Sequence, residues 1–179
     1  LPAIPGVQVG DLGGGALLAV AGLLAALVRA GRTGEGEHVD VSMTDGAFAL
    51  LSVHLGDHFA TGAVPEREAM LLNGGYPCYN VYACADGKYV SVGPIEGKFY
   101  RQLLEKLELD TPELQSPNDT NSWPRIRQAF SERFKSQPRD YWVEKLEGSD
   151  TCFAPVLDFQ EALDHPQLKA RETFIAVAG

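Results

Sequence analysis

Two carboxylates in this 179-residue chain stand where chemistry could use them. Asp11, in "VGDLGGGALL", precedes Gly13, Gly14 and Gly15 and then an apolar run. A carboxylate at the mouth of a helix feels the positive end of the helix dipole and stays ionised. Bare glycine backbone beside it lets a ligand carbonyl come close to N–H groups. That pairing suits a general base, or a nucleophile attacking a carbonyl. A single Asp before a helix is equally often a plain cap, so residue type alone leaves both roles open. Glu96, in "VGPIEGKFY", falls where a strand gives way to a helix and could project into a cleft. Glu at a helix start is also common for dipole reasons, and on its own it reads as structural.

The other candidates carry less. Asp40 and Asp45 flank an alternating stretch and read as turn and cap residues. His38, His54, His58 and His165 show no ligand spacing with a carboxylate partner. His54 and His58 are four apart on a helix, but a packed or solvated pair is commoner than a metal site, and no metal is expected. Cys78, Cys84 and Cys152 are odd in number and lack the C-x-x-C spacing. They read as reduced, partly buried thiols of an intracellular, cytoplasmic protein. The aromatics Tyr76, Tyr79, Tyr82, Tyr89, Phe99 and Tyr100 lie at strand and helix packing positions and are expected in the core. There is no P-loop, Rossmann fingerprint or G-x-S-x-G, and "GDLGGG" fails the G-x-G-x-x-G spacing.

These residues need elements to position them. A helix is expected from about Gly15 to Ala30, ended by Gly31. Val39, Val41 and Met43 alternate with His38, Asp40 and Ser42, the period of a half-buried strand. A second apolar helix follows, capped near Asp45 and running to about Phe59. Residues 61–77 hold three glycines and two prolines with little periodicity and read as a connection between lobes. "CYNVYACADGKYVSVGP" is two alternating runs around Ala85-Asp86-Gly87, a hairpin. Helices are expected over Gly97–Leu107, Trp123–Lys135 and Arg139–Gly148. "CFAPVLDF" reads as a short strand, with a short helix over Phe159–Leu163.

Bulk composition narrows the partners. With 45% hydrophobic and 22% charged residues, the chain has ordinary globular composition. A net charge of -9, with 15 Lys and Arg scattered along the sequence, argues against nucleic acid. The longest apolar run, Ala16 to Val28, has 13 residues and is read as too short to cross a bilayer, so no membrane partner is expected.

Taken together, "VGDLGGG" with its apolar helix, "RTGEGEHVDVSMTDGA", "LLNGGYPCYNVYACADGKYVSVGPIEGKFY" and "SDTCFAPVLDFQEALDHP" resemble the second half of the α-methylacyl-CoA racemases. These belong to the CaiB/BaiF, or family III, CoA-transferase group. The resemblance runs from about Val9 to Phe174. It implies a fold of α/β and α+β parts: apolar helices of a large Rossmann-like domain, then a small α+β domain with an antiparallel hairpin. The implied organisation is 1–60 in the large domain, 61–75 as linker, 76–158 as the small domain and 159–179 as a C-terminal return segment. It also implies a homodimer whose two chains interlock.

Carried over by position, Asp11 matches the family's catalytic aspartate and Glu96 the glutamate that supports an active-site histidine. Gly13 and Gly14 are implied as substrate-binding, as are Met70, Gly74 and Gly75 in the acyl-binding segment and the glycine turn after it. The implied substrate is an acyl-CoA thioester, with coenzyme A as part of the substrate and no separate cofactor. The racemase histidine lies upstream in a Gly-His-Asp block, which does not occur in these 179 residues. The expectation is therefore part of a racemase that is inactive alone. Two alternatives stay open: a CoA-transferase with Asp11 as nucleophile, and a non-catalytic assembly module.

Overall fold

The computed structural model describes residues 6–176. It is mixed α/β, mostly helical, with one small antiparallel sheet. The chain divides into two compact units that meet between Glu66 and Arg67.

The first unit is helical, and among its described residues there is no strand. The opening helix begins earlier than expected. Val9–Ala16 forms wide π-helical turns that run directly into α1, Leu17–Thr33. Gly31 does not stop it. Thr33 donates its hydroxyl to the Arg29 carbonyl at 3.0 Å, and Gly34, at φ 75°, supplies the left-handed cap. The whole apolar helix, Val9–Thr33, spans 25 residues and is by length and composition long enough to cross a bilayer. The 13-residue argument against a span therefore does not hold.

The strand expected at Val39–Met43 is also absent. Residues 35–42 carry no regular element, and Met43 already belongs to α2, Met43–Leu50. Alternation makes a strand only where a ladder partner exists. Here the Val39 side chain lies instead over the bare face of Gly22 in α1. Ser42, not Asp45, caps α2, its hydroxyl accepting the Asp45 N–H at 3.2 Å. The helix expected to reach Phe59 is broken at Leu51 into α2 and α3, Ser52–Thr61.

The second unit holds a three-stranded sheet in the order β1-β2-β3. These are Asn80–Ala83, Tyr89–Val92 and Phe153–Pro155, all antiparallel. The hairpin pairs Asn80 with Val92 and Ala83 with Tyr89, as the sequence led one to expect. Gly87, at φ 78°, closes the turn, and Cys84 N–H bonds the Lys88 carbonyl at 2.8 Å. Helix α4 is Gly97–Leu107 and buries Tyr100, Leu103, Leu104 and Leu107, the i, i+3, i+4, i+7 stripe of an amphipathic helix. Helix α5, Trp123–Lys135, presents Ile126, Phe130 and Phe134, and α6, Arg139–Leu146, adds Trp142 and Leu146.

Their rings make the centre of this core. Tyr82 stacks on Phe134 at 5.5 Å between centroids, and Phe134 meets Trp142 edge-on at 5.3 Å. Two buried polar tips find partners: Tyr82 Oη donates to the Pro77 carbonyl and Trp142 Nε1 to that of Phe134. Of the aromatics expected inside, Tyr76, Tyr82 and Tyr100 are buried. Tyr79 and Tyr89 are not. Pleat alternation sends Tyr82, Val90 and Val92 to the core face and Tyr89 to the opposite one.

Two short helices follow β3: α7, Phe159–Asp164, and α8, Pro166–Ala170. Asp158 and Glu161 form a reciprocal capping box at the start of α7. Glu161 also accepts from both Arg139 guanidinium nitrogens at 2.8 and 2.6 Å, and from Lys88 Nζ at 2.7 Å. One carboxylate thus ties α7 to α6 and to the hairpin.

Candidate functional site

The Asp11 side is built from glycine. Gly14 is buried, and a Cβ placed there would stand 2.8 Å from both Ala47 N and the Met43 carbonyl oxygen. From the other helix, a Cβ on Gly46 would lie 1.9 Å from the Gly14 carbonyl oxygen. The π-helical segment and α2 therefore cross backbone against backbone, which only glycine at both positions allows. The bare face of Gly14, expected to admit a ligand, is taken by α2. Gly13 is half-buried against Leu50.

That crossing leaves Asp11 exposed in the first turn of the π-helical segment. Its carboxylate makes no hydrogen bond or ion pair among the described residues. Arg29 is engaged elsewhere, with Glu37 at 2.7 Å and Glu35 at 3.7 Å. Asp11 borders an open cleft of about 360 Å³ whose other walls include Gly10, Met43, Thr44, Phe48 and Leu51. An unpaired carboxylate on a mostly apolar wall, at the N-terminal end of a helix, can accept a proton or attack a carbonyl.

Glu96 belongs to the second unit. It is the N-cap of α4, in extended conformation at φ -78° and ψ 138°, and its carbonyl accepts the N–H groups of Phe99 and Tyr100, both at 3.0 Å. Its side chain does not cap the helix, and it is exposed with no cationic partner among the described residues. The nearby Cys152 thiol is pushed up, first by loss of solvation and then by the negative charges of Glu96 and Asp150.

Met70, Gly74 and Gly75 come together in one tight turn. Met70 N–H bonds Asn73 Oδ1 at 2.9 Å, and Tyr76 N–H returns to the Met70 carbonyl at 3.2 Å. Gly74 has φ 89°, and a Cβ on Gly75 would stand 2.5 Å from Met70 N, so both positions need glycine. Two residues that sequence reasoning missed hold this turn. Arg127 Nη2 donates to the Gly74 and Gly75 carbonyls at 3.1 and 2.5 Å, and Asn80 Nδ2 donates to that of Gly74 at 2.9 Å. They are 53 and 6 residues away from Gly74, and no local pattern marks them. Gly74 also borders a cleft of about 410 Å³ with Tyr79, Ser91, Gly93 and Cys152.

Two of the histidines hold local backbone. His58 Nδ1 bonds the Ala63 carbonyl at 2.8 Å, and His165 caps α8 through Gln167 N–H. Among the described residues no group of His, Cys, Asp and Glu is arranged to hold a metal ion. Cys78, Cys84 and Cys152 are free thiols.

Comparison with known proteins gives this geometry its setting. The model of CoA-transferase family III matches residues 1–179. The chain is 37% identical to the α-methylacyl-CoA racemase of Mus musculus over 166 residues, covering 92% of this chain and 43% of that protein. To the Homo sapiens racemase it is 33% identical, covering 97% and 46%. To the acetyl-CoA:oxalate CoA-transferase of Acetobacter aceti it is 28% identical, covering 98% and 46%. A CaiB/BaiF family protein from Brucella suis has the same fold, with a TM-score of 0.70 at 23% identity, over 96% of this chain and 46% of that one. The chain thus spans less than half the length of the relatives it matches. The matched family model and the shared fold together make this chain a member of the family III, CaiB/BaiF, CoA-transferases.

Proposed function

We propose that this chain is part of an acyl-CoA racemase that moves a proton at the α-carbon of a 2-methylacyl-CoA thioester. One observation carries the reading: Asp11, the aspartate of the family's glycine-rich block, is exposed and unpaired on an apolar cleft. Removal of the α-proton needs a base within hydrogen-bond reach, and Asp11 is that base. The thioester enolate that forms takes a proton back on its opposite face from a second group. Glu96 supports that second group by orienting and charge-stabilising an imidazole.

No Gly-His-Asp block occurs in the 179 residues. Inversion needs groups on both faces, so the chain alone is inactive. Identity of 37% and 33% to two racemases, against 31% to a formyl-CoA:oxalate CoA-transferase of Streptomyces avermitilis, favours this over a transferase, in which Asp11 would instead attack the thioester carbonyl. The apolar α1 side, exposed at Leu17, Leu23, Leu24 and Leu27, is covered in the working protein, which we take to be an intracellular homodimer. The glycine turn at 74–75 and Met70 face the acyl part of the substrate.

The test is α-proton exchange of a 2-methylacyl-CoA in heavy water. The chain alone is expected to match a no-protein control. Joined to the N-terminal part of the mouse racemase, it is expected to support exchange. Asp11→Asn should then remove at least about a hundredfold of that rate while CoA binding persists. Exchange by the chain alone overturns its inactivity. A hydroxylamine-sensitive acyl adduct on Asp11 without exchange overturns the racemase in favour of the transferase.

A further inference from the structure

A third cleft, in the second unit, carries charge that nothing among the described residues neutralises. It measures about 310 Å³ and runs between β1, residues 80–83, and one stripe of α5 formed by Arg127, Ser131 and Lys135. Positions i, i+4 and i+8 share a helix face, so the three side chains line one wall. No carboxylate lines the cleft. Glu132, on the same helix, is engaged by Gln128 at 2.8 Å.

Two cations thus share one cleft with no carboxylate in its lining. Several neighbouring cations of the second unit are matched by carboxylates. Arg133 and Lys145 share Glu108, Arg139 and Lys88 share Glu161, and Lys169 meets Asp164. Neither Arg127 nor Lys135 forms an ion pair among the described residues. Arg127 is also held in place: its Nη2 is committed to the Gly74 and Gly75 carbonyls, while the Nη1 and Nε N–H groups keep no partner there. A guanidinium fixed at one end loses little freedom when its other donors are used.

The sheet adds a donor. β1 is an edge strand, and its pairing with β2 directs the Val81 and Ala83 N–H groups outward. Asn80 Oδ1 satisfies Val81 at 2.9 Å, which leaves Ala83 on the open edge beside the cleft. Arginine, lysine, a hydroxyl and a backbone N–H make up the donor set of an oxyanion site.

We propose that this cleft binds a phosphate monoester. Two unmatched cations complement a dianion, whereas a monocarboxylate would neutralise only one of them. A phosphate monoester carries nearly two charges above its second ionisation near pH 6. The experiment is a titration of the isotope-labelled 179-residue chain at about pH 7.5 and fixed ionic strength, followed by amide NMR. The probes are phenyl phosphate, inorganic phosphate and benzoate.

Saturable shifts at Ala83, Ser131 and Lys135 are expected with both phosphates, and binding at least about tenfold weaker with benzoate. Tighter binding of phenyl phosphate than of inorganic phosphate supports a site that reads the ester. Equal binding supports recognition of the phosphate group itself. Lys135→Gln is expected to weaken phenyl phosphate about tenfold with no change in the thermal midpoint, and Ser131→Ala to weaken it less. Shifts that never saturate, shifts spread over the whole chain, or a Lys135→Gln chain that binds like the native one would overturn the proposal.

Discussion

Replacing Gly46 by alanine sets two effects of opposite sign against each other. In a helix interior the change gains about 1 kcal/mol from propensity. At Gly46 the new Cβ would sit 1.9 Å from the Gly14 carbonyl oxygen and 2.7 Å from Gly14 Cα. An ordinary carbon–oxygen contact is about 3.3 Å, so α2 must retreat by about 1.4 Å. The obstacle is backbone on both sides, and no rotamer can relieve it. Overpacking costs about 1–3 kcal/mol, and this case belongs at or above the upper end. The net expectation is a loss of about 2 kcal/mol in the crossing of the π-helical segment with α2.

Native-state hydrogen exchange measures it. Amides of residues 9–16 and 43–50 should exchange roughly thirtyfold faster in Gly46→Ala. Gly56→Ala in α3 is the control, because a Cβ there meets nothing within 4 Å. There propensity acts alone, and exchange in α3 should slow by up to about fivefold. If Gly46→Ala exchanges as slowly as the native chain, the backbone-to-backbone crossing is not what positions Asp11, and the reasoning fails.

Three further expectations follow from the second unit and from Glu96. Hydrogen bonds from Arg139, then Lys88 and the Asp158 N–H, hold the Glu161 carboxyl well below its ordinary value of 4.5. A carboxylate lowered by folding contributes stability that is complete above its unfolded value and fades as pH drops toward the folded one. Thermal stability should therefore fall as pH drops below 4.5, and Glu161→Gln should flatten that slope; an unchanged slope would remove Glu161 from the account. Burial pushes the Cys78 thiol up to about 12 and the Cys84 thiol up to about 11, whereas Cys152 is exposed. A thiol reagent at about pH 8 should label one cysteine quickly, and Cys152→Ser should abolish that phase; two fast thiols would mean that the core opens. In the joined enzyme, Glu96→Gln should slow α-proton exchange by about tenfold, well short of the loss from Asp11→Asn, and an equal loss would make Glu96 a direct proton-transfer group.

The sequence was most legible where a signal was local. The Asp86-Gly87 turn, the α4 stripe of Tyr100, Leu103, Leu104 and Leu107, and the bounds of α5 all rest on spacings within one turn or one helix. It misled where a partner decides the outcome. Val39–Met43 alternates like a strand but has no ladder to join, and Val39 fills the gap over Gly22 instead. Gly31 looks like a stop signal, yet the helix continues to the left-handed Gly34. The glycines after Asp11 suggested room for a ligand, and at Gly14 the room is used by a second helix 32 residues on. Asp11 and Glu96 could be singled out by position. Arg127 and Asn80, which hold the Gly74–Gly75 turn, could not, because only the folded chain brings α5 and β1 to that turn.

The pairing of β2 with β3 has a kinetic meaning. Ser91 lies opposite Ala154, and the two are 63 residues apart, so the sheet closes around a long intervening segment that contains α4, α5 and α6. Loop-closure entropy must be met before such a contact returns anything, which makes this pairing a late event. The hairpin and its neighbouring helices can form early from near-neighbour contacts. During synthesis, and in any chain cut short before Pro155, β2 keeps an open edge that a strand from another molecule could join. Glu161, arriving six residues after Pro155, then clamps α7 across the finished sheet through Lys88 and Arg139. The segment that looks like an appendix to the fold is the one whose arrival ends the period of aggregation risk.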